Sequence, residues 1–94
     1  MRSHLTKDFI KLFYSLPDRI KLLAKQKYRQ WKENSQHPSL NFKELISGSN
    51  IYSVRIGLGW RAIGVRNDDN IIWFWIGSHS DYDQLIKKIR KINT

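Results

Sequence analysis

The chain has no cysteine, only two prolines and few acids: 8 Asp+Glu stand against 17 Lys+Arg in 94 residues. Without cysteine there is no disulfide and no thiolate metal site, a composition that suits a reducing cytoplasm. No apolar run approaches bilayer-spanning length, and the N-terminal Met1-Arg2-Ser3-His4 is charged, so export and membrane insertion are not expected. Repeats, linkers and low-complexity tracts are also missing, and residues 1–94 read as one domain of a size that only just buries a stable core.

What is present is positive charge. The formal net charge of +9 disfavours the compact state by self-repulsion and attracts polyanions. Nucleic acid is the first candidate partner and an acidic protein the second. A hydrophobic content of 40%, with four tryptophans, still specifies a globule rather than a disordered polycation.

Along the chain, Thr6 is placed to cap a first helix through about Tyr14, with Phe9, Leu12 and Phe13 on its apolar face. Leu16-Pro17-Asp18 breaks the pattern, and Pro17 is expected at the first position of a second helix. Ile20, Leu23, Ala24, Tyr28 and Trp31 share one stripe of that helix, opposite a lysine- and arginine-rich face. The short connector predicts a helical hairpin. After the loop around Pro38, Leu40–Leu45 reads as a first or edge strand. Ile51–Ile56, Trp60–Arg66 and Ile71–Gly77 then read as a three-stranded antiparallel meander. Tyr82, Leu85, Ile86, Ile89 and Ile92 mark a short C-terminal helix. The fold class is therefore α+β: an N-terminal helical hairpin packed on one face of a small antiparallel β-sheet, with a short C-terminal helix.

The stretch Ile71–Ile76 has no polar break and reads as a strand buried on both faces. Gly77 ends it, and Ser80 with Asp83 resembles a capping box that starts the next helix. His79 therefore falls in a stiff strand-to-helix corner. Centring the first hairpin on Leu58 puts Arg55 directly opposite Arg61, a like-charge pairing that makes physical sense if an anion bridges it. A second loop over Asn67–Asn70 puts Arg61 beside Ile76 and Gly64 opposite Trp73, and brings the arginines towards His79. Such a set suffices to cleave RNA without a metal. A base deprotonates the ribose 2′-hydroxyl, cations stabilise the phosphorane charge, and an acid protonates the departing 5′-oxygen. Histidine serves either proton role. Tyr82, a helical turn on, is placed to orient His79 or to stack on a base. Lys43 is a weaker candidate for phosphate contact, equally suited to guarding an edge strand. His4 and His37 read as structural or merely exposed. Trp60, Trp73 and Trp75 are assigned to one face with Tyr52 and Val54, as core. Neither histidine spacing nor acid placement supports a metal, and no cofactor is expected.

Three segments carry a family resemblance: Tyr52-Ser-Val-Arg-Ile, Trp60-Arg-Ala-Ile-Gly and Trp73-Phe-Trp-Ile-Gly-Ser-His-Ser-Asp-Tyr-Asp. Together with the Leu16-Pro17 helix and His37–Lys43, they resemble the RelE/ParE superfamily of type II toxins, in particular its ParE-like branch. Gly77-Ser-His-Ser-Asp is also similar to the C-terminal motif of histidine-bearing, ribosome-dependent mRNA interferases. The resemblance implies a catalytic role for His79, phosphate contacts from Arg55 and Arg61, and an acidic antitoxin that wraps the toxin. The founding interferases use a lysine-rich centre, and this chain has no lysine on its last strand. Two activities stay open: an endoribonuclease acting on mRNA in the ribosome, and a ParE-like toxin that inhibits DNA gyrase without cleaving RNA.

Overall fold

A computed structural model describes residues 1–92, so the last two residues of the domain expected over 1–94 lie outside the described residues. The elements are β1 (Arg2–Leu5), α1 (Lys7–Tyr14), α2 (Asp18–Glu33), a 3-10 turn (Pro38–Leu40), β2 (Lys43–Glu44), β3 (Ile51–Arg55), β4 (Trp60–Asn67), β5 (Asn70–Ser78) and α3 (His79–Ile92). They build an α+β domain around a five-stranded sheet of order β1-β5-β4-β3-β2.

The helical hairpin forms for the reasons its sequence suggests. Thr6 Oγ1 accepts the Phe9 N–H at 3.0 Å and starts α1. Pro17 sits one place earlier than expected, as the N-cap of α2, and its carbonyl accepts the Ile20 and Lys21 N–H groups. Leu16, Ile20, Ala24 and Trp31 drive into one face of the sheet against Val54, Ile56, Ala62, Ile71, Trp73 and Ile76. At the centre, Trp31 meets Trp73 edge-to-face at 5.5 Å and Phe42 at 5.7 Å, the offset geometry that aromatic quadrupoles favour. The indole N–H groups of Trp31 and Trp73 are buried with no hydrogen-bond partner. α1 and α2 do not close over the sheet completely: an apolar groove of about 330 Å³ runs between them, lined by Phe9, Phe13, Tyr28 and Trp73.

The meander β3-β4-β5 is present, with Gly64 opposite Trp73 as the sequence predicts. Between Ile63 and Gly64 the β4–β5 register shifts by one, leaving Phe74 unpaired as a bulge. A bulge adds a residue to one strand and reverses the alternation beyond it. Two expectations are corrected by it. Arg61 pairs with Gly77, not Ile76. Trp75, paired with Ile63, leaves the face of Trp60 and Trp73 and joins Ser53, Arg55 and Arg61 on the other. Nor is β5 buried on both faces to the same degree. Ile71, Trp73 and Ile76 are fully buried on the hairpin side, while Ile72, Trp75 and Gly77 are half-buried on the other.

Helices cover both faces rather than one. Tyr82 of α3 meets Trp75 at 6.4 Å, and Ile86 is buried, so α3 lies on the Trp75 face. The stripe fades outward, and Ile92 is exposed. Ser78, not Ser80, caps this helix: β5 runs to Ser78, whose Oγ accepts the Asp81 N–H at 3.2 Å. The sheet also gains a parallel edge strand, β1, paired with β5 from Arg2↔Asn70 to Leu5↔Trp73. The expected strand over Leu40–Leu45 shrinks to Lys43–Glu44, because Pro38–Leu40 turns as a 3-10 helix and Asn41 adopts a left-handed φ of 45°.

Two stability measurements check these packing arguments. A Cβ on Gly64 would stand 2.8 Å from Trp73 Cε3 and 3.0 Å from the Ile72 carbonyl oxygen. Gly64→Ala should therefore lower the urea unfolding free energy by roughly 1–3 kcal/mol. Gly59→Ala, with nothing within 4 Å, should change it by less than about 0.5 kcal/mol. Ser78→Ala should cost about 1 kcal/mol through the lost cap, and Ser80→Ala should cost little in the same assay.

Candidate functional site

The site is built on the sheet face under α3. Arg55 and Arg61 face each other directly across β3 and β4, as their spacing about the Gly57–Gly59 tip predicts. Next in the row is Gly77 of β5, opposite Arg61. A glycine is required there, because a Cβ would lie 2.7 Å from the Trp75 ring, which folds back over this position. Lys43 sits on β2 opposite Ser53, two residues along β3 from Arg55 and on the same face by alternation. Lysine and the two arginines thus share one side of the sheet.

The arginines are not equivalent. Arg61 Nη1 donates to the carbonyls of Gly57 at 3.1 Å and Trp60 at 2.9 Å, so part of its fork clamps the hairpin tip. Arg55 is half-buried and makes no hydrogen bond or ion pair among the described residues, leaving its planar fork open to an oxyanion.

His79 is the first residue of α3, directly after β5. Its backbone N–H donates to the Gly59 carbonyl at 2.7 Å. The tip whose Gly57 carbonyl holds Arg61 therefore also holds the main chain of His79. The imidazole is 49% exposed, which excludes the reading of His79 as a packed core residue. Its ring lies nearly parallel to that of Tyr82, with centroids 5.8 Å apart and planes at 19°. Asp83 completes the group, with Oδ2 at 3.5 Å from His79 Nε2. His79, Tyr82, Asp83 and Ile86 fall on one helical stripe, and its Tyr82 and Ile86 members show that the stripe faces the sheet. The helix N-terminus adds the positive end of a macrodipole beside the arginines, a setting that favours a phosphate.

The other histidines are engaged elsewhere. His4 Nε2 lies 3.3 Å from Asn70 Oδ1, and His37 Nδ1 accepts the Ser39 N–H at 3.2 Å in the 3-10 turn. No group of three or more His, Asp or Glu side chains that could hold a metal ion occurs among the described residues.

Sequence reasoning missed Trp75 and Asp83. The bulge that turns Trp75 to this face has no mark in an unbroken apolar run. The His79–Asp83 spacing of four was visible, but it is overshadowed by the capping-box pattern with Ser80.

Comparison with known proteins gives the lineage. The profile of the ParE-like toxin domain matches residues 18–84. None of the curated protein sequences compared with the chain matches it significantly. Among solved structures, a chain of the RelB–RelE antitoxin–toxin complex from Methanococcus jannaschii is similar with a TM-score of 0.69 and 25% identity, covering 86% of this chain and 96% of that chain. YafQ from Escherichia coli BL21(DE3) is similar with a TM-score of 0.64 and 18% identity, over 87% of this chain and 98% of that one. The isolated E. coli RelE toxin gives 0.63 and 16%, over 94% and 97%. By profile, by fold and by the segments that span β3 to the start of α3, the chain belongs to the ParE-like toxin domain family, within the RelE/ParE superfamily of toxins.

Proposed function

We propose that this toxin is a metal-independent endoribonuclease that cleaves mRNA on the ribosome, in the cytoplasm. One observation carries the reading: a half-exposed histidine, at the start of a helix, on the sheet face that bears an opposed arginine pair. In this reading the imidazole takes the proton of a ribose 2′-hydroxyl, or returns one to the leaving group. The 2′-oxygen attacks the adjacent phosphorus, the bond to the 5′-oxygen breaks, and a 2′,3′-cyclic phosphate forms. Arg55, with the remaining donors of Arg61, stabilises the charge on the phosphorane. Lys43 extends phosphate contact along the strand, and Tyr82 fixes the imidazole plane. A single histidine handles one proton at a time, and the ribosome supplies the second carrier.

A second reading rests on the matched profile, which is that of ParE-like toxins. In that reading the chain inhibits DNA gyrase by protein contact and needs no nuclease centre. In either case the neutralising partner is an acidic antitoxin, as the net charge of +9 and the antitoxin–toxin complexes of similar fold suggest. It covers Arg55 and Arg61 and approaches over β2, an edge strand of two residues that leaves the sheet open.

Controlled expression in bacteria with early labelling separates the two activities. Cleavage predicts that protein synthesis stops first, with cut message on ribosomes; gyrase inhibition predicts early loss of DNA synthesis with translation intact. For a nuclease, His79→Ala should lose about 100- to 10,000-fold in cleavage rate. Its melting temperature should stay near wild type, because the side chain is half-exposed. The arginines should differ. Arg55→Ala should weaken RNA binding and cleavage without a stability cost. Arg61→Ala should do both and also destabilise the fold by about 0.5–1.5 kcal/mol through its two carbonyl bonds. Equal stability of the two variants would contradict the clamp.

A further inference from the structure

We propose that Asp83 is a positioning residue for His79: its carboxylate holds the Nε2 edge of the imidazole, so that Nδ1 is the nitrogen presented for proton transfer. The proposal rests on the nuclease reading and names how its base is aimed.

Three restraints act on this side chain, from different directions. The backbone is fixed by the His79 N–H bond to Gly59 at 2.7 Å and by the Ser78 cap on the helix turn that follows. The ring plane is set by Tyr82, which lies parallel to the imidazole at 5.8 Å and itself rests on Trp75 at 6.4 Å. Neither restraint chooses which ring edge points where. Asp83 does, one helical turn on, with Oδ2 at 3.5 Å from Nε2. That separation is longer than a hydrogen bond, and it is an ion pair only when the ring is protonated. Its electrostatics still have a sign: a carboxylate beside Nε2 favours the N–H at that nitrogen and leaves the lone pair on Nδ1. Nδ1 has no hydrogen-bond partner among the described residues. Asp83 lies one helical turn beyond His79 and reaches the ring, whereas Asp81, in the first turn itself, shows no contact with it.

The pair is half-exposed, 49% for His79 and 55% for Asp83, so its effect on rate is modest in the free protein. The decisive readout is therefore regiochemical. Alkylation of the intact protein with iodoacetamide, followed by peptide mapping of the His79 product, reports which nitrogen carries the exposed lone pair. The wild type should be modified chiefly at Nδ1. Asp83→Ala should move the product towards Nε2, and Asp81→Ala should leave it at Nδ1. On ribosomes at saturating message, Asp83→Ala should lower turnover about fivefold with little change in KM. Melting curves identify any variant that fails to fold. An unchanged product ratio in folded Asp83→Ala, or an equal change in Asp81→Ala, overturns the proposal. That result is independent of cleavage: intact message under wild-type protein would instead overturn the nuclease reading.

Discussion

The unpaired residue at Phe74 decides what each face of this protein is for. Before it, Ile71 and Trp73 point into the core beneath the helical hairpin; beyond it, Ile76 does the same, one residue out of phase with them. The extra residue lets one strand close the core at both ends and still turn Trp75 and Gly77 to the opposite face. Gly77 then stands next to Arg61, leaves room for the Trp75 ring, and delivers the chain to His79 two residues later. Without the bulge, Trp75 would compete with Trp73 for the core and the arginine row would face a bulky side chain.

The hairpin tip does the rest of the positioning. Gly57 and Gly59 present carbonyls that no side chain blocks; one holds Arg61 and the other holds the first N–H of α3. Charge and histidine are thus set against one rigid turn rather than against each other. This relieves the repulsion that two opposed arginines and a helix N-terminus would otherwise impose on the fold, and leaves Arg55 open. With a net charge of +9, the chain thus carries an arginine fork without a partner among the described residues on one sheet face and an apolar groove on the other.

Much of this was legible in the sequence, and the failures have physical causes. The Arg55–Arg61 pairing followed from a short tip flanked by glycines, and the Thr6 cap and helical stripes from side-chain period. The bulge was hidden because Ile71–Ile76 contains no polar residue to mark the phase of alternation. β1 was missed because Arg2-Ser3-His4-Leu5 has no apolar pattern; its place depends on main-chain pairing with β5. Ser78 and Ser80 flank His79 equally well in sequence, and only the length of β5 decides which hydroxyl caps α3. Lys43 lies on the short strand expected to hold it, although that strand is cut to two residues by the turn before it.

The central claim is chemical, and the ends of the cut message test it most directly. Purified toxin is added to translating ribosomes with a defined mRNA, and the fragment termini are analysed. Attack by the ribose 2′-oxygen, with Arg55, Arg61 and His79 acting as described, predicts a 2′,3′-cyclic phosphate on the upstream fragment and a 5′-hydroxyl on the downstream one. Intact message at full growth arrest, or fragments that carry a 5′-phosphate, would contradict the account.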